Sequence, residues 1–144
     1  MAKQQSTLEG MAIGKVDTHF WKGKRVFITG HTGFKGSWLS LWLQQMGAEV
    51  KGFSLTPPTN PSLFVEAKVA QQMQSEIGDI RDFSKLSESI RTFNPDILLH
   101  LAAQPLVRLS YKEPIETYST NVMGTVNVLE ASRYASHLKA IVVI

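Results

Sequence analysis

Residues 24–37 read Lys24-Arg25-Val26-Phe27-Ile28-Thr29-Gly30-His31-Thr32-Gly33-Phe34-Lys35-Gly36-Ser37. Val26 to Thr29 are apolar or β-branched, which is typical of a buried strand. Three glycines follow at intervals of three residues, and apolar residues then recur at helical spacing until Gly47. The segment therefore predicts a strand, a tight glycine turn and a helix in direct succession.

Each glycine of this turn has an expected role at a phosphate. Gly30 lets the chain turn sharply, Gly33 lets the backbone approach a pyrophosphate, and Gly36 lets the helix pack closely. The free N–H groups and the positive dipole end of the helix would face the anion. A P-loop is excluded, because Lys35 precedes Gly36 instead of following it.

The helix after the turn has apolar residues that recur every four positions. We expect this face to pack against the core. Its members are Phe34, Trp38, Trp42 and Met46, with Leu39 and Leu43 beside them.

Strands and helices alternate along the rest of the chain. Further strands are predicted at 48–53, 76–80, 97–102 and 140–144. A short helix is predicted between 61 and 73, a helix capped by Asp82 at 83–93, a loop at 103–114 and a long helix at 115–135. The last helix is expected to bury Tyr118, Val122, Val126 and Leu129. This alternation predicts an α/β fold, a doubly wound parallel sheet of the Rossmann type with strand order 3-2-1-4-5.

Composition predicts one globular domain. The chain has 144 residues, 43% hydrophobic and 19% charged, with a net charge of +3 that is scattered along the sequence. Scattered charge argues against nucleic-acid binding, and no apolar run is long enough for a membrane span. The absence of cysteine excludes a thiolate nucleophile or a cysteine zinc site and favours the cytoplasm. We expect a flexible tail over residues 1–19 and a partial nucleotide-binding domain over 20–144, incomplete at its C-terminus.

Four motifs resemble the extended short-chain dehydrogenase/reductases and occur in that family's order. They are Thr29-Gly30-x-x-Gly33-Phe34-x-Gly36, Gly78-Asp79-Ile80-Arg81-Asp82, His100-Leu101-Ala102-Ala103-Gln104 and Asn121-Val122-x-Gly124-Thr125. Within that family, the longer strings at 30–43 and 102–111 look like the nucleotide-sugar 4,6-dehydratases that act on CDP-glucose. The resemblance covers residues 20–144 and only the N-terminal portion of such an enzyme.

The resemblance implies NAD as cofactor and no metal ion. Backbone amides of Phe34 and Lys35 would hold the pyrophosphate, Asp79 and Ile80 would border the adenine, and residues 101–103 would line the nicotinamide side. The implied cofactor-binding residues are Gly30, His31, Thr32, Gly33, Phe34, Lys35, Gly36, Ser54, Asp79, Ile80, Leu101, Ala102, Ala103 and Gln104.

The reaction implied is a net dehydration of a nucleotide sugar. Hydride leaves C4 of the glucosyl ring for NAD, water is lost across C5 and C6, and the hydride returns to C6. The resemblance further implies a homo-oligomer for the full-length enzyme and a place in deoxysugar biosynthesis for lipopolysaccharide O-antigen.

The family's catalytic Tyr-x-x-x-Lys pair has no match here. Tyr111, Tyr118 and Tyr134 are followed four positions later by Ile115, Val122 and Leu138. No catalytic residue is therefore assigned, and we expect the 144-residue chain alone to be inactive. The alternatives are another extended family member, such as a nucleotide-sugar epimerase or reductase, and a catalytically silent NAD(P)-binding module.

Four polar residues also have ordinary structural interpretations. Asp79 is compatible with a simple turn cap, and His100 inside an apolar strand is typical of a hydrogen-bonded core histidine. Asn121 and Thr125 are compatible with ordinary polar positions on a packed helix, so we leave them outside the site.

Two positions bear on cofactor affinity. Residues 53–56, at the end of the second strand, contain neither the acid that favours NAD nor an arginine for a 2′-phosphate, so weak discrimination between NAD and NADP is expected.

His31 must either point away from the pyrophosphate or crowd it. We expect crowding, so that His31→Gly would tighten NAD binding about fivefold to tenfold. The opposing hypothesis is that a protonated His31 attracts the phosphates.

Overall fold

A five-stranded parallel sheet forms the centre of the molecule, in the order β3-β2-β1-β4-β5. The structure, a computed structural model, describes residues 16–144. The strands are β1 (Arg25–Thr29), β2 (Glu49–Ser54), β3 (Gln74–Ile77), β4 (Ile97–His100) and β5 (Ala140–Val143). The fold class and strand order predicted from the sequence are confirmed.

One short helix precedes β1, and the other helices of this part of the chain lie between the strands. They are α1 (Thr18–Trp21), α2 (Phe34–Gln45), α3 (Leu63–Glu66), α4 (Phe83–Phe93), α5 (Val107–Lys112), α6 (Pro114–Tyr118) and α7 (Gly124–Ser132). A π-helical turn, Ser119–Met123, joins α6 to α7 without a break, and we call the whole of residues 114–132 the long helix.

Two hydrophobic clusters pack on opposite faces of the sheet, as a doubly wound fold requires. One centres on Phe27, Phe53 and Leu98 with α4 and α7, and the other on Val26, Ile28 and Val50 with α2. Residues that alternate along β1 therefore belong to different clusters, which explains why its sequence is apolar without interruption.

The buried faces of α2 and of the long helix differ from the prediction. Phe34, Trp38 and Trp42 are 71%, 56% and 50% exposed, whereas Leu43 and Met46 are buried as predicted, together with Gly36, Ser37 and Ser40. The stripe of Tyr118, Val122, Val126 and Leu129 is likewise exposed, and α7 buries Gly124, Val128, Ala131 and Ser132. Both helices carry apolar residues on more than one side. Close approach to neighbouring backbone or side chains selects the face with small residues instead of the face with large ones.

Several boundaries of strands and helices also differ from the predicted ones. Strand β3 ends at Ile77, before the predicted Ile80, and the predicted loop at 103–114 contains α5. Most of the predicted tail lies outside the described residues, although α1 begins at Thr18, inside its last two positions. The predicted cap of α4 is present, since the Asp82 carboxylate accepts the Lys85 N–H at 3.1 Å.

Candidate dinucleotide site

The glycine turn (residues 30–36) connects β1 directly to α2. Gly30 has φ +79°, and a Cβ there would lie 2.8 Å from the Ala102 nitrogen, so only glycine fits between β1 and the loop after β4. Gly33 is the N-cap of α2 and provides no side chain to cap it. The first amides of α2 therefore lack a side-chain partner and are free for an anionic ligand.

The predicted site residues meet along one edge of the sheet. All five strands are parallel, so the segments after β1, β2, β3 and β4 leave the sheet at its carboxyl edge. The glycine turn, Ser54, the Asp79 loop (residues 78–82) and the Ala102 loop (residues 101–106) all lie there. This placement agrees with a dinucleotide crevice, while the contacts of individual residues with a cofactor stay a prediction.

Two hydroxyl groups fix the glycine turn to the end of β2. The buried Thr32 donates its hydroxyl hydrogen to the Leu55 carbonyl at 2.8 Å. The 2.8 Å bond between Thr32 Oγ1 and Ser54 Oγ must then be donated by Ser54. The position expected beside the adenosine ribose is therefore neutral and already hydrogen-bonded.

The imidazole of His31 points away from the crevice. Its Nε2 lies 2.7 Å from Ser75 Oγ, and its ring packs edge-on against Phe64 at 5.3 Å. A Cβ at Gly52 would lie 2.5 Å from the His31 ring atoms Cδ2 and Nδ1, so the ring occupies a notch that this glycine leaves in β2. The expectation that the imidazole crowds the pyrophosphate is therefore wrong in this geometry.

Burial also removes the charge of His31. The ring is fully buried, its Nδ1 has no hydrogen-bond partner, and burial lowers its pKa to about 4. A neutral, inward-facing ring does not attract phosphates, which argues against the opposing hypothesis as well. His31 instead holds the glycine turn against β2 and β3.

We expect His31 to make the fold sensitive to acid. Its pKa in the folded protein lies below the ordinary 6.5, so its stabilising effect is complete above pH 6.5 and is lost as pH falls toward 4. The free energy of unfolding should fall by up to about 3 kcal/mol over that interval. Urea unfolding across this pH range should show a shallower decline for His31→Asn. The exposed His137→Asn should keep the wild-type slope, and a His31→Asn slope equal to that of wild type would contradict the prediction.

A buried histidine organises the Ala102 loop. Thr125 donates its hydroxyl to the Asn121 carbonyl at 2.7 Å, so it can only accept from His100 Nε2, 2.9 Å away. His100 Nδ1 is then the unprotonated ring nitrogen, and it accepts a hydrogen bond from Thr29 Oγ1 at 2.6 Å. Burial lowers the pKa of His100, in keeping with this neutral tautomer. The interpretation of His100 as a hydrogen-bonded core histidine is confirmed.

The same network extends to the backbone of the Ala102 loop. Thr29 Oγ1 accepts the N–H groups of Leu101 and Ala102 at 3.1 and 3.2 Å. Asn121 lies in the π-helical turn and pairs with both backbone groups of Gln104, accepting its N–H at 2.7 Å and donating to its carbonyl at 3.1 Å. Asn121 and Thr125, left outside the site by sequence reasoning, therefore position the segment expected beside the nicotinamide.

The adenine side contains a charged group that sequence reasoning also passed over. Arg81 forms a fork with the Asp79 carboxylate, and its hydrogen bonds hold the Asp79 pKa below its usual range. Ile80, predicted to border the adenine, is 4% exposed and packs against Gly124 of the long helix, where a Cβ would lie 2.8 Å from its Cγ1. The signal in the sequence that could have identified Arg81 is its position in the Gly-Asp-Ile-Arg-Asp motif, two residues after Asp79.

A family model described as GDP-mannose 4,6 dehydratase matches residues 27–144. The chain belongs to this family. It is 64% identical to a CDP-glucose 4,6-dehydratase of Salmonella typhimurium over 127 residues, which are 88% of this chain and 35% of that protein. It is 31% identical to a GDP-mannose 4,6-dehydratase of Yersinia enterocolitica over 76% of this chain and 31% of the relative. The resemblance inferred from the motifs is confirmed, and the chain spans about a third of the length of these relatives.

Solved structures of related folds support the same classification. A UDP-glucose 4-epimerase of Stenotrophomonas maltophila with bound NAD superposes with a TM-score of 0.73 at 25% identity, over 83% of this chain and 36% of that one. The Pen protein of Bacillus thuringiensis gives 0.75 at 30% identity, over 86% and 38%. The chain shares its Rossmann sheet with these solved structures. Over residues 16–144, none of its helices has the length and apolar character needed to cross a bilayer, and no cluster of metal-ligating side chains occurs.

Proposed function

We propose that this chain is the NAD-binding part of a nucleotide-sugar 4,6-dehydratase that converts CDP-glucose to CDP-4-keto-6-deoxyglucose. The observation that carries the proposal is the 64% identity to the Salmonella enzyme across 88% of this chain. The glycine turn fits a dinucleotide on structural grounds, because its glycines leave space that a Cβ would fill and the first amides of α2 have no side-chain cap. NAD bound there supplies a reversible hydride acceptor.

The residues of this chain contribute binding and orientation. The amides of Phe34 and Lys35 would hold the pyrophosphate at the N-terminus of α2. Asp79 would meet the adenine, and the Ala102 loop, fixed by Thr29 and Asn121, would line the nicotinamide side. Positioning of this kind supplies a large part of the rate in a reaction that regenerates its cofactor at every turnover.

The proposal includes a cytoplasmic location, which agrees with the lack of cysteine. It also includes association of copies, for which the exposed apolar stripe of the long helix is a suitable surface. The test of the activity is incubation of the full-length protein that contains this sequence with CDP-glucose, followed by chromatography of the product. Formation of the 4-keto-6-deoxy sugar supports the proposal. Tight NAD binding without turnover would favour the silent module, and interconversion of sugar epimers would favour the epimerase.

The end of β2 leads to a prediction about cofactor choice. Ser54 and Thr32 present hydroxyl groups there, with neither a carboxylate to repel a 2′-phosphate nor an arginine to bind one. We expect NAD and NADP to bind within about tenfold of each other. Calorimetric titration with both dinucleotides measures the ratio, and a preference of several hundredfold would place the discriminating residue elsewhere.

A further inference from the structure

The side chain of Gln104, which the resemblance placed among the cofactor-binding residues, is hydrogen-bonded within the protein. Its Oε1 accepts the N–H of Leu106, and its Nε2 donates to the Leu106 carbonyl at 3.3 Å. The same Nε2 donates to the Thr117 hydroxyl at 3.0 Å. Both hydrogens of the carboxamide are therefore used, and none is left to donate to a cofactor.

The partners of this carboxamide determine which way round it lies. The Leu106 N–H can only donate and the Leu106 carbonyl can only accept, so Oε1 faces the first and Nε2 faces the second. The Thr117 hydroxyl donates to the Glu113 carbonyl at 3.0 Å, so it accepts from Nε2. Each of these bonds joins one donor to one acceptor, and the carboxamide is held in a single orientation.

The hydrogen bonds of Gln104 attach the Ala102 loop to the long helix at two positions. Asn121, in the π-helical turn, pairs with both backbone groups of Gln104, and Thr117, one turn earlier, holds its side chain. At the other end of the loop, Thr29 Oγ1 accepts two backbone N–H groups. The backbone of residues 101–103 is thus held from both ends.

We propose that Gln104 is a positioning residue for the nicotinamide half of the dinucleotide and not one of its ligands. The inference rests on the proposed NAD site and assigns the residue that keeps the Ala102 loop in place there. Without the carboxamide, the end of the loop keeps only its backbone pair with Asn121, so the segment that lines the nicotinamide side gains freedom to move. Affinity for the nicotinamide half should then fall, because that segment must be ordered on binding. Affinity for the other half, at the glycine turn, should not change.

The test compares NAD with ADP-ribose, which lacks the nicotinamide, on the full-length protein that contains this sequence. Calorimetry on the wild type should give at least about fivefold tighter binding of NAD. Gln104→Met keeps the length of the side chain and removes its hydrogen bonds. In this variant the ratio should fall to within about twofold, while the affinity for ADP-ribose stays within about twofold of the wild-type value. The matched control is Gln44→Met, which removes a bond from α2 to the Val69 carbonyl and should keep the wild-type ratio.

Thr117→Val separates positioning from direct contact with the cofactor. It removes the hydroxyl that anchors Gln104 to the long helix and leaves the carboxamide itself in the protein. If Gln104 positions the loop, the ratio should fall in this variant too, and the double variant should be no worse than Gln104→Met alone. Thr117→Ser keeps the hydroxyl and should keep the wild-type ratio.

The inference is overturned if the wild type shows no preference for NAD over ADP-ribose, or if folded Gln104→Met keeps the full ratio. It is also overturned if Thr117→Val keeps the full ratio, and this variant decides the matter if Gln104→Met fails to fold. A wild type that binds neither NAD nor ADP-ribose would instead refute the proposed function.

Discussion

Replacement of Gly36 by alanine is expected to lower the free energy of unfolding by about 3 kcal/mol or more. The added Cβ would overlap the Gly30 carbonyl oxygen and lie 2.8 Å from both the Gly30 carbonyl carbon and the His31 Cα. All of these atoms are backbone, so no side chain can rotate to relieve the contact. The α2 helix would have to move away from the sheet at its first turn.

Gly33→Ala is the matched control for this prediction, because it adds the same methyl group three residues earlier. A Cβ there meets only the Gly30 oxygen, at an ordinary 3.4 Å. Chemical denaturation should therefore show a change below about 1 kcal/mol for Gly33→Ala and a large one for Gly36→Ala. Similar stabilities for the two variants would contradict the packing described for this turn.

The second large effect is expected at Thr29, whose replacement by valine keeps the shape and removes the hydroxyl. Thr29 is fully buried. Its hydroxyl donates to His100 Nδ1 and also accepts the N–H of Ala102. The change leaves both groups without that partner, so unfolding measurements should show a loss of about 3 kcal/mol. Thr92→Val removes an exposed hydroxyl bond to the Glu88 carbonyl and should cost less than about 0.5 kcal/mol. A loss at Thr29 no greater than at Thr92 would show that the network contributes little to stability.

The strand order, and the edge of the sheet at which the candidate site residues lie, could be predicted because they follow from local signals. The uninterrupted apolar run of β1, the glycine spacing and the Asp82 cap each specify one element, and right-handed crossovers then allow one order of strands. The residues that follow the strands lie at one edge of the sheet because all the strands are parallel. Neither prediction required knowledge of contacts between residues that are distant in the chain.

Helix faces could not be predicted, because α2 and the long helix are apolar on more than one side. What selects their faces is close contact with the rest of the fold: the Gly30 backbone meets Gly36, and the Ile80 side chain meets Gly124. Such contacts join residues that are distant in the chain or lie across a turn, so periodicity does not reveal them. The buried rings of His31 and His100 depend on Gly52 and Thr29 in the same way.

The most direct test is an amide NMR titration of the isotope-labelled protein with NAD. We predict saturable shifts of the Phe34 and Lys35 amides, together with those of the Asp79 loop and residues 101–103. These segments are the ones that surround the carboxyl edge of β1, β3 and β4. Saturable shifts confined to other surfaces, or no saturable shift at all, would contradict a dinucleotide site at the glycine turn.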